Sequence, residues 1–184
     1  MAAREEKLRW WWIFIRGGAA VCIVMTGPCA YAKQTATVEQ EQRIGACIRQ
    51  SSQGRQWLED TLWAIREQEA GWIGAEVRNT NGTHDLGPMQ INSWWVPRIA
   101  ALVGRDRAEI RSRLIHDACF NVQVARWIFL TGLATTGEFW KSVGIYHSPT
   151  PSRQQRYARE VATKLHKRFG NRASRRTTAA VASR

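Results

Sequence analysis

Acidic side chains are scarce in this chain of 184 residues: 15 Asp and Glu stand against 27 Lys and Arg, giving a formal net charge of +12. That imbalance points to an anionic surrounding: nucleic acid, a membrane surface or a cell wall. Cysteine is also sparse, with four residues and no Cys-x-x-Cys spacing, so a zinc site is not expected. The histidines, His84, His116, His147 and His166, show no metal spacing either, and neither metal nor cofactor is expected. The sequence has no phosphate-binding glycine loop of the P-loop type and no nucleophile elbow around a serine. It has no internal repeat. With 44% hydrophobic and 23% charged residues it is neither a disordered chain nor a polytopic membrane protein. What it does have in quantity is tryptophan, ten in all, three of them consecutive at Trp10, Trp11 and Trp12.

Those three lie in a leader-like segment. Arg4, Lys7 and Arg9 give a basic start, diluted by Glu5 and Glu6, and an apolar stretch over 10–26 is interrupted by Arg16. Gly27 and Pro28 end it, and Ala30-Tyr31-Ala32 supplies a small-x-small cleavage site. Residues 1–32 therefore read as a secretory signal peptide, with an uncleaved N-terminal anchor as the alternative. Export would place the protein in the periplasm, membrane-anchored if the leader stays. Removing 1–32 takes away four basic and two acidic side chains and leaves 23 and 13. It also takes away Cys22 and Cys29. Cys47 and Cys119 remain, and in an oxidising compartment they would close a long loop worth about 2–4 kcal/mol; two buried free thiols are the alternative.

Residues 33–43 are polar and read as a lead-in. Helical patterning starts near Ile44, breaks over 51–54 and resumes over 57–69. Asn79-Thr80-Asn81-Gly82-Thr83 is a dense turn signal, followed by a short extended piece over 86–91. Asn92 or Ser93 can cap the next helix, which holds Pro97 in its first turns and stops at Gly104. A loop and short helix cover 105–118, an apolar helix 120–133 ends by Gly137, and another covers 138–145. Ser148-Pro149-Thr150-Pro151 is a sharp break. Ser152 with Gln155 forms a capping-box pattern that opens a last helix to about Phe169. The residues from 170 to 184 are basic, contain no acid and are expected to be disordered. The sum is one mainly α domain of about 130 residues with a small β-hairpin excursion.

The helix ahead of the excursion carries the most informative pattern. Leu58, Leu62, Ile65 and Glu69 are spaced four, three and four apart, so they share one face. Glu69 thus extends an apolar stripe, while Glu59, Arg66 and Glu67 fall on the solvated side. A carboxyl at the end of a buried stripe loses solvation, and its pKa rises toward the range a general acid needs. Gly71 and Trp72 follow at once, and Trp72 offers an aromatic wall.

Three blocks of residues then carry a resemblance. Ala64-Ile65 with Glu69-Ala70-Gly71-Trp72 resembles the A-I-x-x-x-E-S-G signature of lytic transglycosylases of the soluble, goose-lysozyme-like type. Gly87-Pro88-Met89-Gln90-Ile91-Asn92 resembles their G-L-M-Q-I-N motif, and Val143-Gly144-Ile145-Tyr146-His147-Ser148 resembles A-V-G-x-Y-H/N-S/A. Tyr157 fits a later tyrosine of the family. Order and spacing match over 44–168, closest to the compact members attached to conjugation, type IV secretion and pilus systems. Cys47 and Cys119 sit where small members carry a cysteine pair.

The resemblance implies a lysozyme-like fold over 44–169 and a peptidoglycan substrate. It makes Glu69 the single catalytic acid/base, and Gln90 and Asn92 groove residues that contact sugar. Tyr146 becomes the tyrosine whose hydroxyl faces the carboxyl, and Met89 is either a groove residue or core packing. His147 reads as a structural histidine. The sequence departs from the pattern at Ala70, where serine is usual, and at Pro88, which must fit an extended backbone without donating a hydrogen bond. Most glycosidases need a second carboxylate, and Asp85 is the one candidate, with turn capping as its alternative role. The implied reaction uses no second carboxylate: the sugar's own acetamido and C6 hydroxyl complete it, leaving a 1,6-anhydromuramoyl end. The implied partners are peptidoglycan glycan strands and components of a secretion or conjugation machinery. No nucleic acid is expected, the basic surplus being read as affinity for an anionic wall, and a monomer is expected. Three rival readings are a catalytically impaired wall-binding or scaffolding protein, kept open by Ala70, a lysozyme-type hydrolase, and a basic nucleic-acid-binding protein, which would show salt-dependent DNA retention and no wall activity.

Overall fold

The computed structural model describes residues 34–182; the expected leader with its three tryptophans and cleavage site lies outside them. Seven α-helices and a three-stranded antiparallel sheet make up the described residues: α1 (Val38–Ser52), α2 (Gln56–Glu69), β1 (Glu76–Arg78), β2 (His84–Leu86), β3 (Ile91–Asn92), α3 (Val96–Val103), α4 (Arg107–His116), α5 (Ala118–Thr136), α6 (Phe139–His147) and α7 (Pro151–Ala182). The domain is the expected mainly α, lysozyme-like one with a small hairpin excursion. No described helix is long and apolar enough to cross a membrane.

The stripe read from the sequence is the inner face of α2. Leu58, Leu62 and Ile65 are fully buried in one core with Ile44 and Ile48 of α1, Val122 and Phe129 of α5 and Val161 of α7. Helix α2 lies against α1 and α7, and α5 packs between α1 and α6. A disulfide joins Cys47 of α1 to Cys119 of α5, with Cα atoms 4.8 Å apart.

Three boundaries differ from the sequence reading, each for a local reason. The lead-in is not irregular: α1 begins at Val38, with the Thr37 side chain accepting from the Gln40 N–H and Glu39 and Glu41 in its first turn. Gln40 is anchored in turn by a pair of hydrogen bonds with the backbone of Ile73, 3.3 and 3.1 Å. Helix α7 opens at Pro151, one residue before the proposed Ser152 cap, as suits a proline at a first helical position. It then continues through Gly170 to Ala182, where disorder was expected. Alanine and arginine are good helix formers, and one glycine costs only about 1 kcal/mol.

The third difference shapes the site. The piece over 86–91 is not one extended strand. Leu86 ends β2, Ile91 starts β3, and 87–90 form a tight turn closed by the Gln90 N–H donating to the Gly87 carbonyl at 3.1 Å. Pro88 therefore occupies the second position of a turn, where its fixed φ is favoured, and not an extended backbone. Gly87 has φ +67°, and a Cβ there would sit 2.1 Å from the Leu114 carbonyl oxygen. Gly71 is as constrained: a Cβ would meet the Gly87 oxygen at 2.4 Å. The glycines of the first two blocks thus let the end of α2 and the hairpin turn touch.

Candidate active site

Glu69 is the last residue of α2, whose terminus is closed by Ala70 in the left-handed region (φ 50°). The residue as a whole is half-buried. Burial pushes its pKa from the ordinary 4.5 up to about 8; the negative charges of Asp85 and Glu160 push the same way, while a hydrogen bond from Tyr157 and the charge of Arg66 push back. A carboxyl so placed is mostly protonated near neutral pH and can give up that proton on demand.

The hydrogen bond to this carboxyl comes from α7: Tyr157 donates its hydroxyl to Glu69 Oε1 at 2.5 Å. The ring is buried, and burial lifts the phenol pKa well above 10, with the Glu69 charge second, so it stays a donor. His147 stacks on that ring at 4.6 Å between centroids and 1° between planes, and Tyr146 lies on it at 6.4 Å and 19°. His147 is exposed as a residue; partial burial lowers its pKa, against the charges of Asp85 and Glu160, which raise it.

Tyr146 lies close enough to the carboxyl for the Glu69 charge, after burial, to help raise its phenol pKa, but its hydrogen bond goes elsewhere. Its hydroxyl, buried, donates to the Met89 carbonyl at 2.7 Å. The bond fixes the turn of the second block, whose carbonyl would otherwise be buried and unpaired. Met89 itself is fully buried, so core packing is its role in this conformation. Its N–H goes to Asn121 Oδ1 at 2.9 Å, and the Asn121 amide donates to the carbonyls of Leu86 and Leu114 at 2.8 Å each. Asn121 had gone unnoticed in the sequence. A fully buried asparagine in an otherwise apolar helix is the signal that marks it.

Gln90 and Asn92 line the same turn and strand. Gln90 has φ 48°, a strained value for a residue other than glycine, and its amide donates to the Gly87 carbonyl at 2.8 Å. Asn92 is fully engaged: its amide donates to Thr83 Oγ1 and Asp85 Oδ1, both 2.9 Å, and its oxygen accepts from the Trp94 N–H at 3.0 Å. Its first task is to hold the hairpin, and through it to fix Asp85 on β2 opposite its partner position on β3. Asp85 is bonded within its own hairpin, and its charge adds to the rise in the Glu69 pKa. Trp72 is half-buried in the connection from α2 to β1, with its carbonyl accepting from the Ala75 N–H at 3.0 Å.

Arg66, one turn before Glu69, was expected on the solvated side but is buried, because it pairs with Glu41 of α1 and donates to the Pro88 carbonyl at 3.3 Å. It ties α1, α2 and the turn together. Beside it a hollow of about 420 Å³ is lined by Glu41, Trp63, Arg66, Glu67, Ala70 and Arg168. Its charges are matched in pairs, Arg66 with Glu41 and Arg168 with Glu67. Ala70 opens on this hollow, to which Glu69 does not contribute.

No family model matches the chain. It is 33% identical over 107 residues to invasion protein IagB of Salmonella typhimurium, a stretch covering 55% of this chain and 64% of that protein. It is 28% identical over 109 residues to protein IpgF of Shigella flexneri, covering 59% of this chain and 68% of that protein. The chain thus spans less than two thirds of IagB, and both are distant relatives.

Proposed function

We propose that the protein is a peptidoglycan lytic transglycosylase that cleaves the β-1,4 bond between N-acetylmuramic acid and N-acetylglucosamine. The observation that carries this reading is Glu69: a carboxyl raised to about 8 and held by one tyrosine, at the meeting of three sequence blocks that resemble that family. In the first step Glu69 protonates the glycosidic oxygen as the C1–O bond breaks, and the sugar's 2-acetamido group stabilises the cationic centre. The Tyr157 hydroxyl bond and the nearby Arg66 charge favour the carboxylate that results. In the second step that carboxylate takes the proton of the muramic C6 hydroxyl as its oxygen bonds to C1. The product is a 1,6-anhydromuramoyl end, and Glu69 is protonated again. No water is consumed.

The setting is part of the proposal. The leader-like 1–32, the Cys47–Cys119 disulfide and the surplus of 23 basic over 13 acidic side chains beyond residue 32 favour an exported, periplasmic protein acting on an anionic wall. Likeness to a protein named for invasion favours a role in opening the wall locally for a secretion, conjugation or pilus apparatus.

One observation favours a second reading. Asp85, oriented by Asn92 and acting on Glu69, is a second carboxylate, the requirement of a lysozyme-type hydrolase. Digestion of purified peptidoglycan, read by mass spectrometry beside Glu69→Gln, decides. Anhydromuramoyl products that vanish in the variant establish the transglycosylase. Reducing ends would make it a hydrolase. Wall binding without any products would make it an inactive binder.

A further inference from the structure

Helix α6 ends on His147, and the imidazole lies flat on the ring of Tyr157 from α7. The centroids are 4.6 Å apart and the planes 1° from parallel. Among the described residues neither imidazole nitrogen has a hydrogen-bond partner. A histidine kept for its hydrogen bonds would use those nitrogens; this one uses its face.

The corner that delivers the imidazole is tightly built. Gly144 brings α6 against α7, where a Cβ would sit 2.6 Å from the Gln154 Cβ. The Gln154 amide donates to the Ser148 carbonyl at 3.0 Å, and the Ser148 hydroxyl accepts from the Thr150 N–H at 3.2 Å. These contacts fix the end of α6 against the start of α7, and so fix His147 over Tyr157 in the second turn of α7.

A plate on this ring has a definite mechanical effect. The phenol oxygen lies on the long axis of its ring, so a turn about that axis leaves the oxygen in place. What would carry it off Glu69 Oε1 is a swing of the whole ring off its face. His147 blocks that swing on the solvent side, since His147 is exposed and Tyr157 is buried. Burial lowers the His147 pKa, and Arg153 and Arg156 push the same way, against Asp85 and Glu160. The imidazole is therefore neutral at neutral pH and meets the phenol as one flat ring meets another. Asp85 and Glu160 act on Glu69 as well, so His147 stands at the rim of the same site.

We propose that His147 is a positioning residue for the acid: its imidazole braces Tyr157 from the solvent side and keeps the phenol hydroxyl on Glu69. The inference rests on the reading of Glu69 as the acid. It adds that α6 acts on that acid through a ring and not through a charge.

The test is read on Glu69 itself and needs no substrate. The full chain, with isotope-labelled glutamate carboxyls, is titrated by NMR, and Glu69→Gln identifies the signal. His147→Ala should raise the Glu69 pKa, the direction expected of Tyr157→Phe. It should also slow wall solubilisation about three- to tenfold, the range of one aromatic pair. His147→Phe supplies a flat ring that cannot titrate and should return both readings toward the parent. In the Tyr157→Phe chain, which has no hydroxyl to hold, His147→Ala should add nothing. Melting temperatures check that each variant folds. An unchanged or lowered Glu69 pKa in His147→Ala overturns the brace. So does an equal rise with and without the Tyr157 hydroxyl, or a phenylalanine variant that behaves as the alanine one. If no signal titrating at about 8 disappears in Glu69→Gln, the acid reading itself is lost. If that signal is present but the parent releases nothing from the wall, only the peptidoglycan reading is lost.

Discussion

Tyr157 and Glu69 are 88 residues apart in sequence and 2.5 Å apart in the fold, hydroxyl to carboxyl oxygen. The bond spans from the last helix to the end of the second and places a donor on the group whose charge changes during the proposed reaction. Tyr146, eleven positions earlier, uses its own hydroxyl on the Met89 carbonyl. The two buried phenols thus divide the work, one fixing the acid and the other the turn beside it.

This division predicts opposite pH behaviour for two conservative variants. Only protonated Glu69 can start the reaction, so cleavage should fall as pH rises through about 8. Tyr157→Phe removes a bond that lowers the Glu69 pKa, so its alkaline limb should move up, with a rate loss of about 10–100-fold. Asp85→Asn removes a charge that raises the same pKa, so its limb should move down. Rates of wall solubilisation from pH 5 to pH 10 (roughly the range that brackets the limb) check both. Shifts in the same direction would show that neither group acts on Glu69 as argued.

Glu69 should also limit stability. Its folded pKa, about 8, lies above the ordinary 4.5, so the folded state holds the proton more tightly than the unfolded one. The associated stability is present in full below about 4.5 and is lost as pH climbs through about 8. Glu69→Gln cannot lose it. The variant should therefore melt above the parent, by an increment that grows over that window to roughly 1–4 kcal/mol. Thermal unfolding at several pH values measures this, and an increment independent of pH would refute the desolvation argument.

The Cys47–Cys119 bond closes a 72-residue separation between α1 and α5. Replacing both cysteines by serine should cost about 2–4 kcal/mol, read by denaturant unfolding. Cleavage at low temperature should persist, because neither cysteine is among the groups that touch Glu69. An unchanged midpoint, or free thiols in protein isolated under oxidising conditions, would go against the bond.

Much of the site is local and therefore legible in the chain. The four-three-four spacing of Leu58, Leu62, Ile65 and Glu69 can be read with no structure, because a helix turns by a fixed angle and puts those four on one face. Gly71 and the 87–92 block are legible as motifs, but not their backbone: the glycines are required by Gly87 and Leu114, 16 and 27 residues on, and the expected extended piece is a turn. The polar lead-in, expected to be irregular and found to open α1, shows the limit of composition alone. Thr37 caps α1, and Gln40 is satisfied by Ile73, a partner 33 residues away.

What the sequence determined by itself was where Glu69 sits: helical geometry delivers it to the end of a buried stripe. What only the tertiary structure decided was who surrounds it. Tyr157 took the carboxyl and Tyr146 the turn because α7 runs beside α2 while α6 abuts the Met89 loop, a choice between two phenols that no spacing encodes. Asp85 reached the site through the β2–β3 register, and Asn121 became the hub of the turn because three carbonyl and amide groups converge on it. Hydrogen bonds and Coulomb forces act across space, so partners 32 to 88 residues apart are assigned only when the chain has folded.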